Sequence, residues 1–261
     1  MSSTRVRVID LSAVRTAAAT EKTVSQLGDY PYFVHKWTKQ KRRYTPADLS
    51  LPSSLFVRGK LPGWGFPVIG VGGTRSPMVE TFCLVSNVVR ALAKSGATII
   101  SGGVPGVDLA AHLAASDQEN GVTIAVLANP VDIGMRGLEW YSSTVTAQIV
   151  KRGAFLSEYS RACEVGGDEF CERLLARDRI ISGLSDVFLA FECNDDSATI
   201  DTARRALAQG KQIRCVSAVR KSVRQGIDQL ASEFGAPVFD ERTNTPQEIA
   251  EAILGSLTSE A

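Results

Sequence analysis

From Pro67 onward, short apolar runs alternate with longer stretches in which apolar residues recur every three or four positions. The runs are PVIGVGG from Pro67, ATIISGG from Ala97, GVTIAVLAN from Gly121, AFLSEY from Ala154, VFLAFEC from Val187, QIRCVSA from Gln212 and APVF from Ala236. Between them the helical period runs to Ser95, Ser116, Arg152, Ser185, Gln209 and Phe234, and a last helix follows APVF. The strand-length runs are continuously apolar rather than alternating, as in strands buried on both faces. Regular alternation of such strands with helices predicts right-handed crossovers and a doubly wound, mostly parallel, Rossmann-like α/β sheet. Ligands of such sheets bind beyond the carboxyl ends of the strands, and there this chain gathers Gly, Ser, Thr and Arg.

Residues 1–65 have a different texture. HKWTKQKRRY, from His35 to Tyr44, sets basic residues around Trp37 and Tyr44, and TPADLSLPSSLFVRGKLPGWG is punctuated by proline and glycine. This predicts a small N-terminal arm or subdomain over 1–65 and a sheet domain over 66–261. The basic run reads more simply as a solvated face than as a nucleic-acid groove, although a strand crossing it would stack on Trp37 or Tyr44. Phe188, Phe191 and Phe234 read as core, and Arg204 and Arg205 as exposed helix formers.

Composition narrows the functional classes. With 261 residues and 44% apolar content the chain can fill a sizeable core. A formal net charge of +1 supplies no global field, so any polyanion contact must be local. The five cysteines, Cys83, Cys163, Cys171, Cys193 and Cys215, include no C-x-x-C pair and read as reduced packing thiols of a cytosolic protein. No apolar run reaches the roughly 18 residues that span a bilayer, and MSSTRVRVIDLSAVRTAAA lacks the apolar centre of a signal peptide. A cytoplasmic location without membrane contact is the expectation.

Two turns carry candidate chemistry. VIGVGGTRSP, Val68 to Pro77, ends an apolar strand in two glycines, a threonine and an arginine just before a helix opened by proline. Exposed amides in such a turn and the positive end of the following helix attract an anion. IISGGVPGVDLAAH, Ile99 to His112, repeats the plan: a buried strand, Ser101-Gly102-Gly103, then a helix start marked by Pro105 and Gly106 with Asp108 in its first turn. On neighbouring strands the two turns make one pocket. Asp108 and His112, four apart, share a helix face as a metal pair would. His35 is the only other histidine, however, so no ligand set is evident, no metal is expected, and Asp108 serves the helix dipole.

The order of these motifs resembles the DNA-processing protein A family (DprA/Smf). SLFVRGKLP followed by VIGVGGTRSP looks like the family's opening, with Gly73-Thr74-Arg75 where the family has Gly-Ser-Arg. IISGGVPGVDLAAHLAA resembles its SG-x-A-x-G-I-D-x-x-A-H segment through Ser101, Gly102, Gly106, Asp108 and His112. RGAFLSEYS resembles its LLSEYP, and ARDRIISGLSDVFLAFE its R-N-R-I-I-A-G-L-S-D. The resemblance spans about residues 55 to 240. It implies a homodimeric protein without catalytic residues or cofactor, which binds single-stranded DNA in a basic pocket and helps a RecA-type recombinase to load in DNA uptake, recombination or repair. Carried over by position, Arg75 with the amides of Gly73 and Thr74 would hold one phosphate, and Ser101, Gly102 and Gly103, with Gly106 at the helix start, the next. Arg177 and Arg179 would close the pocket, and Lys151 is a weaker basic match. The bases would stay largely unread, making binding sequence-tolerant and salt-sensitive.

This chain also departs from the family pattern. Asp178 stands where the family has asparagine, Phe170 lies four residues farther from the arginines than the family spacing puts it, and DSAT replaces a Ser-Gly-Ser approach beside Asp195 and Asp196. No winged-helix extension is expected after the sheet. Two other readings use the same pocket. One is a LOG-type nucleoside monophosphate phosphoribohydrolase working through Asp178, Glu192 and Asp201, although ECNDDSATIDTA lacks that family's P-G-G-x-G-T-x-x-E signature. The other is a nucleotide-sensing domain, for instance in phage defence. A dinucleotide-dependent dehydrogenase is disfavoured, because the first turn has no G-x-G-x-x-G fingerprint and no acidic residue ends the second strand.

Overall fold

The computed structural model describes residues 7–10, 32–33, 41–42, 44–61, 67–131, 143–159, 167–217 and 224–258. The strands are β1 (Arg7–Asp10), β2 (Tyr32–Phe33), β3 (Lys41–Arg42), β4 (Ser54–Gly59), β5 (Val68–Gly72), β6 (Thr98–Gly102), β7 (Val122–Val126), β8 (Ala154–Ser157), β9 (Val187–Ala190), β10 (Gln212–Ser217) and β11 (Val238–Asp240). The helices are α1 (Pro46–Leu49), α2 (Val79–Lys94), α3 (Val107–Ser116), α4 (Ser143–Arg152), α5 (Gly167–Leu184), α6 (Ala198–Ala208), α7 (Gln225–Phe234) and α8 (Pro246–Thr258). Each continuous apolar run read from the sequence contains one strand.

Nine strands form one sheet in the order β1-β4-β8-β7-β6-β5-β9-β10-β11, and β2 pairs with β3 apart from it. From β8 to β11 every pairing is parallel. β4 and β1 extend the β8 edge antiparallel. The fold is therefore the doubly wound, mostly parallel sheet that the apolar runs predict. Chain order reverses between β5 and β9, so the connections from these neighbours leave in opposite directions and open a crevice at their carboxyl ends.

The strands alternate sides as a pleat requires. Ile69, Val71, Ile99, Val187 and Leu189 bury one face of the sheet against α2, α3 and α8. Val68, Ile100, Ile124, Val126 and Phe188 bury the other against α5, α6 and α7. Helices on both faces explain why the strands carry almost no polar positions. Phe188 and Phe191 lie in the core on opposite faces of the sheet, and Phe234 packs partly buried against the Phe188 side. Cys171, Cys193 and Cys215 are buried thiols, Cys83 is exposed, and Cys163 lies outside the described residues. Among the described residues no helix is long and apolar enough to cross a membrane.

Residues 44–61 add β4 between β8 and β1 and are pinned by side chains from α5, α6 and the residue capping the end of α6. Arg179 Nε donates to the Ser50 carbonyl at 2.8 Å, Gln209 Nε2 to the Leu49 carbonyl at 2.7 Å, and Arg205 to the Asp48 carbonyl. Tyr44 is buried, donates its hydroxyl to Asp201 and lies under the Arg205 guanidinium, 5.3 Å from it. It is thus a core residue rather than a stacking platform; Trp37 lies outside the described residues. Arg204 and Arg205 are 7% and 1% exposed, which corrects their reading as exposed helix formers. Arg205 pairs with Asp201 at 2.8 Å and Arg204 with Glu233 at 3.2 Å, so both are internal struts.

Candidate functional site

A pocket of about 320 Å³ opens at the β5/β9 crevice. Gly72, Gly73, Thr74 and Arg75 line it from β5, Gly102 and Val104 from β6, Arg177 and Asp178 from α5, and Asn194, Ser197 and Thr199 from the start of α6. Phe188 and Ile181 supply apolar wall. The strand order makes this convergence, since residues more than a hundred positions apart meet only where β5 lies beside β9.

The two glycine-containing turns are stitched together. The Val107 amide, first in α3, donates to the Thr74 carbonyl at 3.1 Å. Gly106 holds φ at 90°, and a Cβ there would meet the backbone of Thr74 and Arg75, so only glycine allows the approach. Gly102 has a similar constraint: a Cβ would fall on the Arg177 guanidinium, which packs against its backbone. That guanidinium donates from Nη1 to the Val126 carbonyl at 3.0 Å, and Arg177 is 6% exposed. The Gly102 carbonyl accepts from His112 Nε2 at 2.7 Å, while His112 Nδ1 faces the Thr123 hydroxyl at 2.6 Å. A carbonyl only accepts, so Nε2 carries the proton. Burial lowers the His112 pKa to about 4, Arg177 adding to the effect and the Gly102 bond opposing it. His112 is therefore a neutral brace of β6.

Much of the anion-binding capacity expected of these turns is met from within the protein. The Thr74 amide donates to the Glu192 carbonyl at 2.7 Å, and the Met78 amide, at the start of α2, to Glu192 Oε2 at 3.1 Å. At the second turn the Ser101 hydroxyl donates to the Val71 carbonyl at 2.7 Å. Asp108 lies against the Ser101 hydroxyl and the Val104 amide. Burial raises its pKa, against the pull of Arg177, these two bonds and Arg75. Glu192 and Asp108 thus occupy donors that a phosphate would otherwise use.

What stays open is concentrated at Arg75. Its side chain is exposed, it lines the pocket, and among the described residues it has no hydrogen-bond or ion-pair partner. The amides of Gly73 and Arg75 likewise donate to no group there. The first turn of α6 faces the same space, with Ser197 capping the Thr199 amide. A helix of this length adds positive potential at that end. The sequence pointed to Arg75 but missed Asn194, Ser197 and Thr199. The helix-capping serine was a visible signal, whereas its position opposite Gly73 depends on strand order.

The other candidates are distributed differently. Arg177 and Asp178 reach the pocket, with Arg177 Nε 3.1 Å from Asp178 Oδ1. Arg179 does not line it: a two-pronged pair with Glu158 at 2.9 and 2.7 Å, and the Ser50 bond, hold its guanidinium elsewhere. Lys151 lies at the amino-terminal edge of the sheet, in a hollow shared with Lys60 and Arg152. The acids weighed for an enzyme do not converge. Glu192 braces the first turn, Asp201 is locked to Arg205 and Tyr44, and of the three only Asp178 lines the pocket. Among the described residues no group of three or more His, Cys, Asp or Glu could hold a metal.

A family model described as DNA recombination-mediator protein A matches residues 35–252. Protein Smf of Synechocystis sp. is 35% identical over 149 residues, which are 57% of this chain and 34% of that relative's own length. The chain thus spans about a third of that curated relative. The X-ray structure of DprA from Streptococcus pneumoniae superposes with a TM-score of 0.65 at 27% identity, covering 77% of this chain and 66% of that one. DNA processing protein A from Helicobacter pylori, whose structure is described for its single-stranded DNA binding mode, superposes with a TM-score of 0.65 at 25% identity, covering 79% and 89%. With the matched model running across most of its length and the sheet shared with these structures, the chain belongs to the DprA/Smf family of DNA-processing proteins.

Proposed function

We propose that this protein binds single-stranded DNA by capturing a backbone phosphate at the β5/β9 crevice, without catalysing a reaction. Arg75 is the cation that reaches the phosphate, and the amides of Gly73 and Arg75 and the first turn of α6 complete the cradle. Gly102 and Val104 form the facing wall, Gly103 lies outside the lining, and Arg177 adds positive charge beside Gly102. The observation that carries this reading is Arg75 itself, an exposed arginine without a partner among the described residues at the mouth of a polar pocket, when Arg177, Arg179, Arg204 and Arg205 are all engaged by the protein. Phosphate contacts carry no sequence information, so the strand outside the pocket is held whatever its bases. Delivery of the strand to a RecA-type recombinase by a homodimer in the cytoplasm belongs to the same proposal and rests on family membership.

Fluorescence anisotropy of a labelled oligonucleotide at several salt concentrations, with duplex as competitor, tests it. Single strand is expected to win over duplex, with log K falling against log salt at about −0.7 per phosphate neutralised. Absence of binding at low salt contradicts the proposal and turns attention to free nucleotides.

A further inference from the structure

Buried polar groups in folded proteins almost always have a hydrogen-bond partner. The described residues include four buried carboxyl groups, those of Asp108, Asp178, Glu192 and Asp201. Three are satisfied: Asp108 by the Val104 amide, Glu192 by the Met78 amide, and Asp201 by Arg205 and Tyr44. Asp178 differs. Its side chain is 8% exposed, and its charge contact among the described residues is Arg177 Nε at 3.1 Å. That N–H points instead to the Leu174 carbonyl at 3.3 Å. Among the described residues no other donor accompanies that contact at the Asp178 carboxylate, and the residue lines the pocket.

We infer that Asp178 is a specificity-determining residue that accepts a hydrogen bond from the exocyclic amino group of a base seated in the pocket. The inference rests on the reading of the pocket as a DNA site. A nucleotide inside a DNA strand has no 2′-hydroxyl and both its 3′ and 5′ oxygens are esterified, so its N–H donors are all on the base. Cytosine, adenine and guanine offer an amino group; thymine offers one imino N–H between two carbonyl oxygens, which would face the carboxylate unfavourably. The space is on the scale of one nucleotide, near the lower end of small-ligand cavities. Phe188 and Ile181 offer the base an apolar wall, while Arg75 and α6 hold its phosphate. The acidity of Asp178 agrees: burial, with Asp201 and Asp108 nearby, raises its pKa to about 7 against the pull of Arg177 and Arg205, the mark of an anion short of donors.

The test compares labelled oligodeoxycytidine and oligothymidine of equal length by anisotropy, on wild type, Asp178→Asn and Asp178→Ala, with melting temperatures to confirm folding. Wild type should bind the cytidine strand at least about fivefold more tightly, the lower end of what a specific base contact contributes. Both variants should bring the two strands to within about twofold of each other. Equal binding of the two strands by wild type, or a preference that survives in both variants, overturns the inference while leaving phosphate capture intact. Failure of wild type to bind either strand removes the DNA reading and this inference with it. CMP and dCMP serve as competitors: equal competition is expected, whereas competition by CMP alone would put the ribose hydroxyl on Asp178 and overturn the base assignment.

Discussion

The turns after β5 and β6 share one plan, a buried strand, two glycines and a helix start, yet they end in opposite states. The second is closed on itself, with Asp108 against the Ser101 hydroxyl and the Val104 amide and His112 holding the Gly102 carbonyl. The first is tied by Glu192 at Thr74 and Met78 but leaves the Arg75 side chain and the amides of Gly73 and Arg75 without a partner among the described residues. A glycine-containing turn before a helix therefore advertises capacity for an anion. Whether that capacity is free depends on where the nearest carboxyl group comes to rest.

The contrast between a bonded acid, Asp108, and an unbonded one, Asp178, has its largest expected effect on stability against pH. With its folded pKa raised from 3.8 to about 7, Asp178 keeps a proton in the folded state that the unfolded chain loses, so its contribution to stability falls as pH rises from about 4 to about 7. His112, lowered from 6.5 to about 4, stays neutral where the unfolded chain is protonated, so its contribution rises from about pH 4 to 6.5. The two slopes oppose each other over the shared window. In Asp178→Asn the opposing slope of Asp178 is removed, leaving that of His112 against Asp108, whose pKa burial also raises. The stability difference between variant and wild type, followed by urea denaturation, should grow in the variant's favour by up to about 1.4 kcal/mol per pH unit across the Asp178 window. A difference independent of pH would show that Asp178 is an ordinary surface-like acid.

A smaller effect is expected from Gly102→Ala. The added methyl falls on the Arg177 guanidinium, which is held by the Val126 carbonyl, so neither side yields easily. Overpacking of this kind costs about 1–3 kcal/mol, and thermal denaturation should show the melting point lowered by several degrees. Smaller again is the effect of Asp108→Asn, which removes the carboxylate that closes the second turn. Oligonucleotide affinity should rise and the salt slope steepen by about 0.7, one further phosphate, if occupation by Asp108 is what separates the two turns. An unchanged slope would mean that geometry, not the internal acid, keeps the second turn out of binding.

The fold was legible because burial on both faces writes itself as continuous apolar runs, and each of the seven runs holds a parallel strand. The site was legible in part. Gly73, Thr74 and Arg75 end a strand, which places them at the carboxyl edge whatever the strand order. By the same rule Lys151, just before β8, belongs at the amino edge, so its distance from the pocket could have been read. The fate of the other arginines could not. Arg179 and Arg205 are consumed by Glu158, Ser50 and Asp48, partners 21 to 157 positions away along the chain that only the folded arrangement brings close. The role of Asn194, Ser197 and Thr199 depends on β9 lying beside β5, an order that periodicity along one strand does not encode.

The most direct test of the central claim sets the two edges of the sheet against each other: titrate one labelled single strand with wild type, Arg75→Ala and Lys151→Ala at low and moderate salt. Loss of a charge-assisted phosphate contact is expected to cost about 1.5–3 kcal/mol, so Arg75→Ala should weaken binding at least tenfold and flatten the salt slope by about 0.7. Lys151→Ala should bind as wild type does. Binding that survives in Arg75→Ala and is lost in Lys151→Ala would place the strand at the opposite edge and contradict the assignment of the crevice as the DNA site.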